Sequence, residues 1–352
     1  MSKPTEKQIL DSLRTIIDPD LGEDIVTLGF VKDMKVADDS VSFSINLTTP
    51  ACPMKAQFKK MAEDAVRKVF PSAGKIEVTM EAHVRRAARA QGQLEILPSA
   101  KNIVAIASGK GGVGKSTVAV NLAAALTKLG AKVGLLDADI YGPSVSMMLR
   151  TDEKPKLNGE MILPLEKDGI HYISMGFLID GSTPIIWRGP MVAKAIEQLL
   201  QEVEWPEMDY LLVDLPPGTG DAQLTIAQRV PLTGAVIVST PNDVALVTAK
   251  RGLAMFEKMN VPILGMIENM SFFVCPHCSK ESGIFTKGRA EEEAAKLGVA
   301  CLGMIPLEPS IAASGEKGVP IVTLDPSSST ATAFISAAEK LAQSIAKLSK
   351  EK

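Results

Sequence analysis

Aromatic residues are scarce in this chain. Phe, Trp and Tyr together make up 4% of its 352 residues. Any core must therefore be filled by aliphatic side chains and by the 16 methionines. Cysteine is equally sparse: Cys52, Cys275, Cys278 and Cys301 are the full set. Four thiols over this length, with a single close pair, exclude a disulfide scaffold. No uninterrupted apolar run is long enough to span a bilayer. The opening Met1-Ser2-Lys3-Pro4-Thr5-Glu6-Lys7 lacks the apolar core of a secretory signal. The expectation is a cytoplasmic protein with no membrane partner. The formal net charge of −3 gives no support for nonspecific nucleic-acid binding. What is left is an ordinary globular composition, 46% apolar and 22% charged, in a chain long enough for two domains.

The densest signal is Ser108-Gly109-Lys110-Gly111-Gly112-Val113-Gly114-Lys115-Ser116-Thr117. Gly109, four residues, then Gly114-Lys115-Ser116 is the P-loop spacing. Glycines let backbone N–H groups wrap a phosphate without obstruction by side chains. The flanks agree. Asn102–Ala107 reads as a short buried strand, and residues 117–126 read as a helix whose N-terminus faces the anion. Residues 109–117 are thus the candidate nucleotide-binding segment. The competing reading is a glycine-rich turn that binds nothing.

Residues 1–92 read as a small α+β domain. Thr5 and Gln8 fit a capping box ahead of Ile9, Leu10, Leu13, Ile16 and Ile17 on one helical face, which Asp18-Pro19 ends. Val41, Phe43, Ile45 and Leu47 alternate as a half-buried strand. A second helix carries Phe58, Met61, Ala62, Ala65, Val66 and Val69, and Ile76, Val78 and Met80 mark another strand. A basic polar stretch, Arg85 to Gln93, leads into a linker at 93–98. From 99 to 352 strands alternate with helices. Apolar runs recur at 133–136, 211–213, 235–238 and 263–267. This predicts an α/β domain with a doubly wound, mostly parallel sheet of the P-loop NTPase type and a ligand at the carboxyl ends of its strands. The tail carries Phe334, Ala338, Leu341, Ile345 and Leu348 at helical spacing, read as a helix packed on the sheet.

Roles follow from the loop. Lys115 should reach the β- and γ-phosphates of ATP, and the Ser116 hydroxyl should ligate Mg²⁺. Asp214 ends the apolar run 211–213, where a carboxylate can hold a water of the Mg²⁺ shell. The following Leu215-Pro216-Pro217-Gly218-Thr219-Gly220-Asp221 suits a switch that senses the γ-phosphate. Asp137 and Asp139 end the run 133–136. Asp139 is the candidate for orienting the attacking water, and Asp137 for support near the metal. Helix N-capping competes with both assignments, and a turn aspartate competes for Asp214.

Cys275-Pro276-His277-Cys278 places two thiols three apart, enough to hold one face of a metal centre. His277 is expected to point away. A single pair supplies half of the usual four ligands, and a two-fold dimer supplies the rest. A redox dithiol, a structural zinc bridge and an inert thiol pair are the alternatives. Cys301 reads as a buried core residue.

Lys110, just after the first P-loop glycine, resembles the signature lysine of the deviant Walker A ATPases, the group of MinD, ParA, ArsA and the nitrogenase iron protein. By that resemblance Lys110 is a catalytic cation supplied across a dimer to the other subunit's nucleotide. A surface lysine is the plain alternative. The same relatives place an asparagine against the adenine, which makes Asn269 the candidate base reader beside Pro306. A structural asparagine is the alternative there.

Taken together, the loop, Asp137-Ala138-Asp139-Ile140-Tyr141-Gly142-Pro143-Ser144, Trp187-Arg188-Gly189-Pro190, Asp214-Leu215-Pro216-Pro217-Gly218 and the cysteine pair resemble the Mrp/ApbC family of iron–sulfur cluster carrier ATPases over nearly the whole chain. The resemblance implies slow ATP hydrolysis and a homodimer that holds a labile [4Fe–4S] cluster through Cys275 and Cys278. It implies transfer to apo iron–sulfur proteins, with cluster scaffold proteins as further partners. The first domain resembles PaaD-like and SufT-like assembly domains through Asp18-Pro19-Asp20-Leu21 and Thr48-Thr49-Pro50-Ala51-Cys52-Pro53. Cys52, ahead of a helix, could touch a cluster in transit or serve as a small buried residue. The other functional reading is a MinD/ParA-like positioning ATPase acting on a membrane or DNA. No physical role attaches to Trp187-Arg188-Gly189-Pro190.

Overall fold

The computed structural model describes residues 4–86, 97, 99–151, 153–177, 189–275, 277–278, 280–284 and 288–349. The linker reading at 93–98, apart from Leu97, and Trp187-Arg188 lie outside them. The chain divides into two compact units, Met1–Arg85 with Ala346–Lys352, and Arg86–Ile345.

In the first unit Thr5 caps α1 (Glu6–Leu13), its hydroxyl accepting the Gln8 N–H while the Gln8 side chain accepts the Thr5 N–H at 2.8 Å. The expected capping box is present. The helix stops at Leu13, earlier than its periodicity suggested. Ile17 pairs antiparallel with Asp24, and Ile25 N–H donates to Ile16 O at 3.1 Å, so the chain leaves the helix for extended pairing. The Asp18 carboxylate then accepts the N–H groups of Asp20 and Leu21 at 2.8 and 2.9 Å in the following turn. Ile16 is buried, but Ile17 is 51% exposed. Three strands follow: β1 (Val31–Val36), β2 (Ser40–Leu47) and, after α2 (Lys55–Val69), β3 (Lys75–Ala82). β1 runs antiparallel to β2, and the α2 crossover makes β3 parallel to it. β1 left little trace in the sequence, because Lys32 and Lys35 flank a bulge with Asp33 at φ 53°. Phe58 and Ala62 of α2 meet Val41, Phe43 and Ile45 of β2 in one buried cluster.

The second unit opens with β4 (Ala100–Ser108), α3 (Lys115–Lys128), β5 (Val133–Asp137) and the short α4 (Val145–Met148). Small strands β6 (Leu157–Asn158), β7 (Met161–Ile162) and β8 (Leu165–Lys167) lead to β9 (Ile170–Ser174). Then come α5 (Gly189–Glu202), β10 (Met208–Asp214), α6 (Asp221–Arg229), β11 (Gly234–Ser239), α7 (Asp243–Lys258) and β12 (Ile263–Glu268). A hairpin, β13 (Phe273–Val274) and β14 (Glu281–Ser282), precedes α8 (Arg289–Lys296) and β15 (Cys301–Met304). Helices α9 (Pro309–Lys317), α10 (Ile321–Leu324) and α11 (Ser329–Leu348) close the chain.

The large sheet runs β15-β12-β11-β4-β10-β5-β9-β8, and only β8 is antiparallel to its neighbour. Every residue of β5, β10 and β11 is buried, as a parallel sheet covered by helices requires. Aliphatic residues dominate the core, which matches the shortage of aromatics. Strand order reverses at β4, the topological switch point where such sheets hold their ligand. The doubly wound α/β expectation is met. Phe334, Ala338, Leu341 and Ile345 of α11 are buried, as a packed helix requires. Among the described residues no helix is long and apolar enough to cross a membrane. Cys301 departs from expectation: it starts an edge strand and is only half-buried, which still pushes its thiol pKa up.

Phe58 is fully buried at the centre of the first unit's core. Phe58→Ala should cost about 3–5 kcal/mol. Hydrogen exchange should then accelerate in β1, β2 and β3 while β4 and β10 keep their protection.

Candidate functional site

β4, β5, β10 and β12 all end on one edge, at Ser108, Asp137, Asp214 and Glu268. The P-loop leaves β4 there and enters α3. Gly114, the N-cap of α3, has φ 77°, and no side chain caps the helix. Its first N–H groups thus face the loop unclaimed by a side chain, which suits an anion. Two of the loop glycines are also required by protein neighbours. A Cβ on Gly109 would fall 2.3 Å from the Thr248 backbone of α7, and one on Gly114 would fall 2.2 Å from Asn269 Nδ2. On the far side Gly218 donates its N–H to Ser108 O at 2.9 Å, and Gln223 Nε2 donates to Pro216 O. This seats Pro216-Pro217-Gly218 beside the loop.

Lys115 is nearly buried. Its Nζ donates to Asp214 Oδ1 at 2.7 Å and lies 3.4 Å from Asp139 Oδ2 and 3.4 Å from Ser116 Oγ. The lysine, Asp139, Asp214 and Ser116 are therefore one cluster, as their spacing predicted, with the ammonium paired to carboxylates. Asp214 Oδ2 is buried without a hydrogen-bond partner. Burial pushes the Asp214 pKa up, and the Lys115 ammonium opposes that. A buried acceptor left open next to a serine hydroxyl and an uncapped helix N-terminus fits a hydrated cation with phosphate.

Asp137 is used as a cap, the alternative left open for it. Its Oδ2 accepts the Ser144 and Val145 N–H groups at 3.1 Å and the Ser174 hydroxyl at 2.9 Å, and Oδ1 accepts the Asp139 N–H at 3.2 Å. Burial, and then the nearby Asp214 charge, push its pKa up to about 7 against those donors. Asp139 accepts the Tyr141 N–H at 3.3 Å and keeps its other oxygen toward Lys115. Lys110 is half-buried on the loop, and the Ser108 hydroxyl donates to its carbonyl at 3.0 Å.

Asn269 differs from a free base reader. Its Nδ2 donates to Val113 O at 2.8 Å, so the amide holds the loop in place. It also borders a cavity of about 780 Å³ shared with Gly114, Met147, Met270 and Pro306, a size usual for small-ligand pockets. Pro306, expected to flank the base, lines the same cavity as Asn269.

The cysteine pair sits at the tip of the β13–β14 hairpin. Cys275 N–H donates to Lys280 O at 3.1 Å. The Cys275 sulfur accepts the backbone N–H of His277 first, then that of Cys278 and the Cys278 thiol, and its pKa is lowered accordingly. A sulfur cradled by backbone donors is stabilised as thiolate, the form that binds metal. Cys275 is half-buried, and Cys278 and His277 are exposed. Among the described residues no group of three or more His, Cys, Asp or Glu side chains is placed to hold a metal. In the first unit Cys52 packs half-buried against the core just ahead of α2.

Sequence reasoning missed Ser174, Gln223, Glu268 and Ser271. Glu268 carried a signal: a charge closing a buried apolar strand. The hydroxyls and Gln223 carried none, because only the fold brings them to their partners.

A family model described as "NUBPL iron-transfer P-loop NTPase" matches residues 99–342, and one described as "Iron-sulfur cluster assembly protein" matches residues 6–80. An iron–sulfur cluster carrier protein of Synechocystis is 46% identical over 346 residues, covering 96% of this chain and 97% of that protein. A solved nucleotide-binding protein from Archaeoglobus fulgidus, in complex with ADP, is 38% identical with a TM-score of 0.57, covering 64% of this chain and 89% of that one. The cell division ATPase MinD of Pyrococcus furiosus is 25% identical with a TM-score of 0.51, covering 68% and 97%.

Asp137 supplies a titration test. Its folded pKa of about 7 lies above the ordinary 3.8. The neutral acid is favoured in the fold, so its contribution to stability is full below about 4 and is lost as pH rises toward about 7. Carboxyl ¹³C NMR on aspartate-labelled protein should find one buried aspartate with a midpoint near 7, moving higher in Ser174→Ala. A midpoint below 5 contradicts the assignment. With the loop, its carboxylates and the cysteine hairpin in place on this sheet, the chain belongs to the iron-transfer P-loop NTPase family.

Proposed function

We propose that this chain is an ATP-hydrolysing carrier that holds a [4Fe–4S] cluster between two copies of itself and hands it to apo iron–sulfur proteins, receiving it from a scaffold. The observation that carries this reading is the cysteine hairpin. One chain presents two sulfurs, one of them cradled by backbone N–H groups, with no further ligand set nearby among the described residues. A cluster wants four thiolates, and a two-fold dimer supplies them. The cluster is cargo, bound weakly enough to leave because half its ligands lie on each side of a separable interface.

The nucleotide would work as follows. Lys115 exchanges Asp214 and Asp139 for the β- and γ-phosphates of ATP, with residues 109–117 giving backbone N–H groups. Ser116 and Asp214 would hold Mg²⁺, which neutralises phosphate charge, while Asp137 stays engaged as a cap. Asp139 then orients water toward the γ-phosphorus. The water oxygen bonds to phosphorus as the bond to the β-phosphate oxygen breaks, ADP leaves with that electron pair, and the water proton ends on inorganic phosphate. Lys110 acts on the partner's nucleotide, as an arginine finger does. Asn269 faces the base with its carbonyl end, since its amide nitrogen holds Val113. The reading as a positioning ATPase leaves the cysteine pair and the residue 6–80 match without a purpose.

Two outcomes test this. Anaerobic reconstitution with iron and sulfide should give a broad absorption toward the blue end of the visible. Cys275→Ala or Cys278→Ala should abolish it while nucleotide affinity survives. A double variant that still takes up a full complement of iron, or zinc in place of iron at the pair, would overturn the proposal. Lys110→Ala should lower hydrolysis by ~10³-fold while ATP affinity stays within a few-fold. Unchanged turnover would remove the trans role.

A further inference from the structure

Glu268 is a fully buried carboxylate that neither nucleotide chemistry nor cluster binding uses. It closes β12, one residue before Asn269. One oxygen, Oε1, accepts the Ser271 hydroxyl and the Gly288 N–H, the latter at 3.1 Å. The other, Oε2, accepts the Ala290 N–H at 2.6 Å. Ser271 stands where the cysteine-bearing segment leaves the sheet. Gly288 and Ala290 stand where it returns into α8. One side chain therefore grips both feet of the segment that carries Cys275 and Cys278.

The same short stretch is tied to the P-loop. Asn269 holds Val113 O through its amide, and its backbone N–H donates to Ser239 O at 2.8 Å. Beyond it the outgoing strand zips onto residues 305–307. Ile305 N–H donates to Glu268 O at 2.8 Å, Ser271 N–H to Ile305 O at 2.9 Å, and Leu307 N–H to Phe272 O at 2.7 Å. Phe273, at the base of the hairpin, bridges Leu307. A second connection reaches α8 from α7, whose Thr248 backbone touches the loop at Gly109. Arg289 pairs with Asp243 at 2.8 Å, and Lys250 pairs with Glu293. Both routes from the loop converge on the two feet that Glu268 grips. A loop that closes on phosphate must carry Val113 and Gly109 with it, and through them Asn269 and α7.

We propose that Glu268 is the positioning residue that transmits nucleotide occupancy of the P-loop to the cysteine hairpin, so that nucleotide resets the placement of Cys275 and Cys278. This deepens the carrier reading and rests on it for its purpose, but the coupling itself needs no cluster.

The test is pulsed iodoacetamide alkylation of Cys275 and Cys278 on the full-length, metal-free chain. Rates are read by peptide mass spectrometry, with and without Mg²⁺ and a non-hydrolysable ATP analogue. Wild type should change its rate at the pair at least fivefold on nucleotide addition, with Cys52 as the internal reference. Glu268→Gln should reduce that response below twofold while the analogue's affinity stays within threefold. Ser271→Ala, which frees one foot and leaves the α8 contacts intact, should also reduce the response and decides the matter if Glu268→Gln fails to fold. A wild-type rate indifferent to nucleotide overturns the proposal. So does a full response retained in Ser271→Ala or Glu268→Gln, since dimer contact alone would then account for the protection. Iron uptake by the same wild-type protein is measured separately: loss of uptake with the alkylation response intact refutes the carrier reading and leaves the coupling standing.

Discussion

The site turns on a buried charge balance at the edge of the sheet. Lys115 cannot stand alone among Ser116, Asp139 and Asp214, and neither can Asp214, whose carboxylate has no exposure. Breaking such a pair without replacement costs about 3–5 kcal/mol. On the proposed reading, Lys115 moves to a phosphate as another cation takes its place beside Asp214, whose Oδ2 is buried without a partner. On the same reading, that need for replacement would make nucleotide and Mg²⁺ arrive together. Burial, with the nearby Asp214 charge added to it, drives Asp137 toward its neutral form.

The parallel sheet sets that local balance beside distant parts of the chain. All four working strands end on one edge, so the loop, the carboxylates, Asn269 and Glu268 are neighbours although up to 159 residues separate Gly109 from Glu268. Gly109 and Gly114 allow α7 and Asn269 to lie against the loop closer than any side chain would permit. The loop is thus tied to protein on two sides as well as shaped for phosphate. The cysteine hairpin grows out of the same edge, on a stem that Glu268 closes.

Much of this was legible in the chain. The P-loop spacing, the buried apolar runs and their terminal aspartates located β4, β5, β10 and the members of the Lys115 cluster, because each is marked by local pattern, although the Lys115–Asp214 contact itself spans 99 residues. The capping box at Thr5 was legible for the same reason. The end of α1 was not, since pairing of Ile16 and Ile17 with Ile25 and Asp24 overrides a periodicity that continues through Ile17. β1 was not, because a bulge interrupts its alternation. Asn269 was singled out at its strand end, but its hold on Val113 depends on a contact across 156 residues that no spacing reveals. Glu268 showed itself only as an anomaly, a charge at the end of an apolar run, until the return of the chain at Gly288 and Ala290 supplied its partners.

The central claim is that two chains closed on nucleotide share one cluster. Native mass spectrometry of the anaerobically reconstituted protein with Mg²⁺ and a non-hydrolysable ATP analogue tests it directly. The account predicts a two-chain species carrying two nucleotides and a single four-iron, four-sulfide unit. A single chain that retains the full iron and sulfide, or a nucleotide-bound dimer that takes up none, would contradict it.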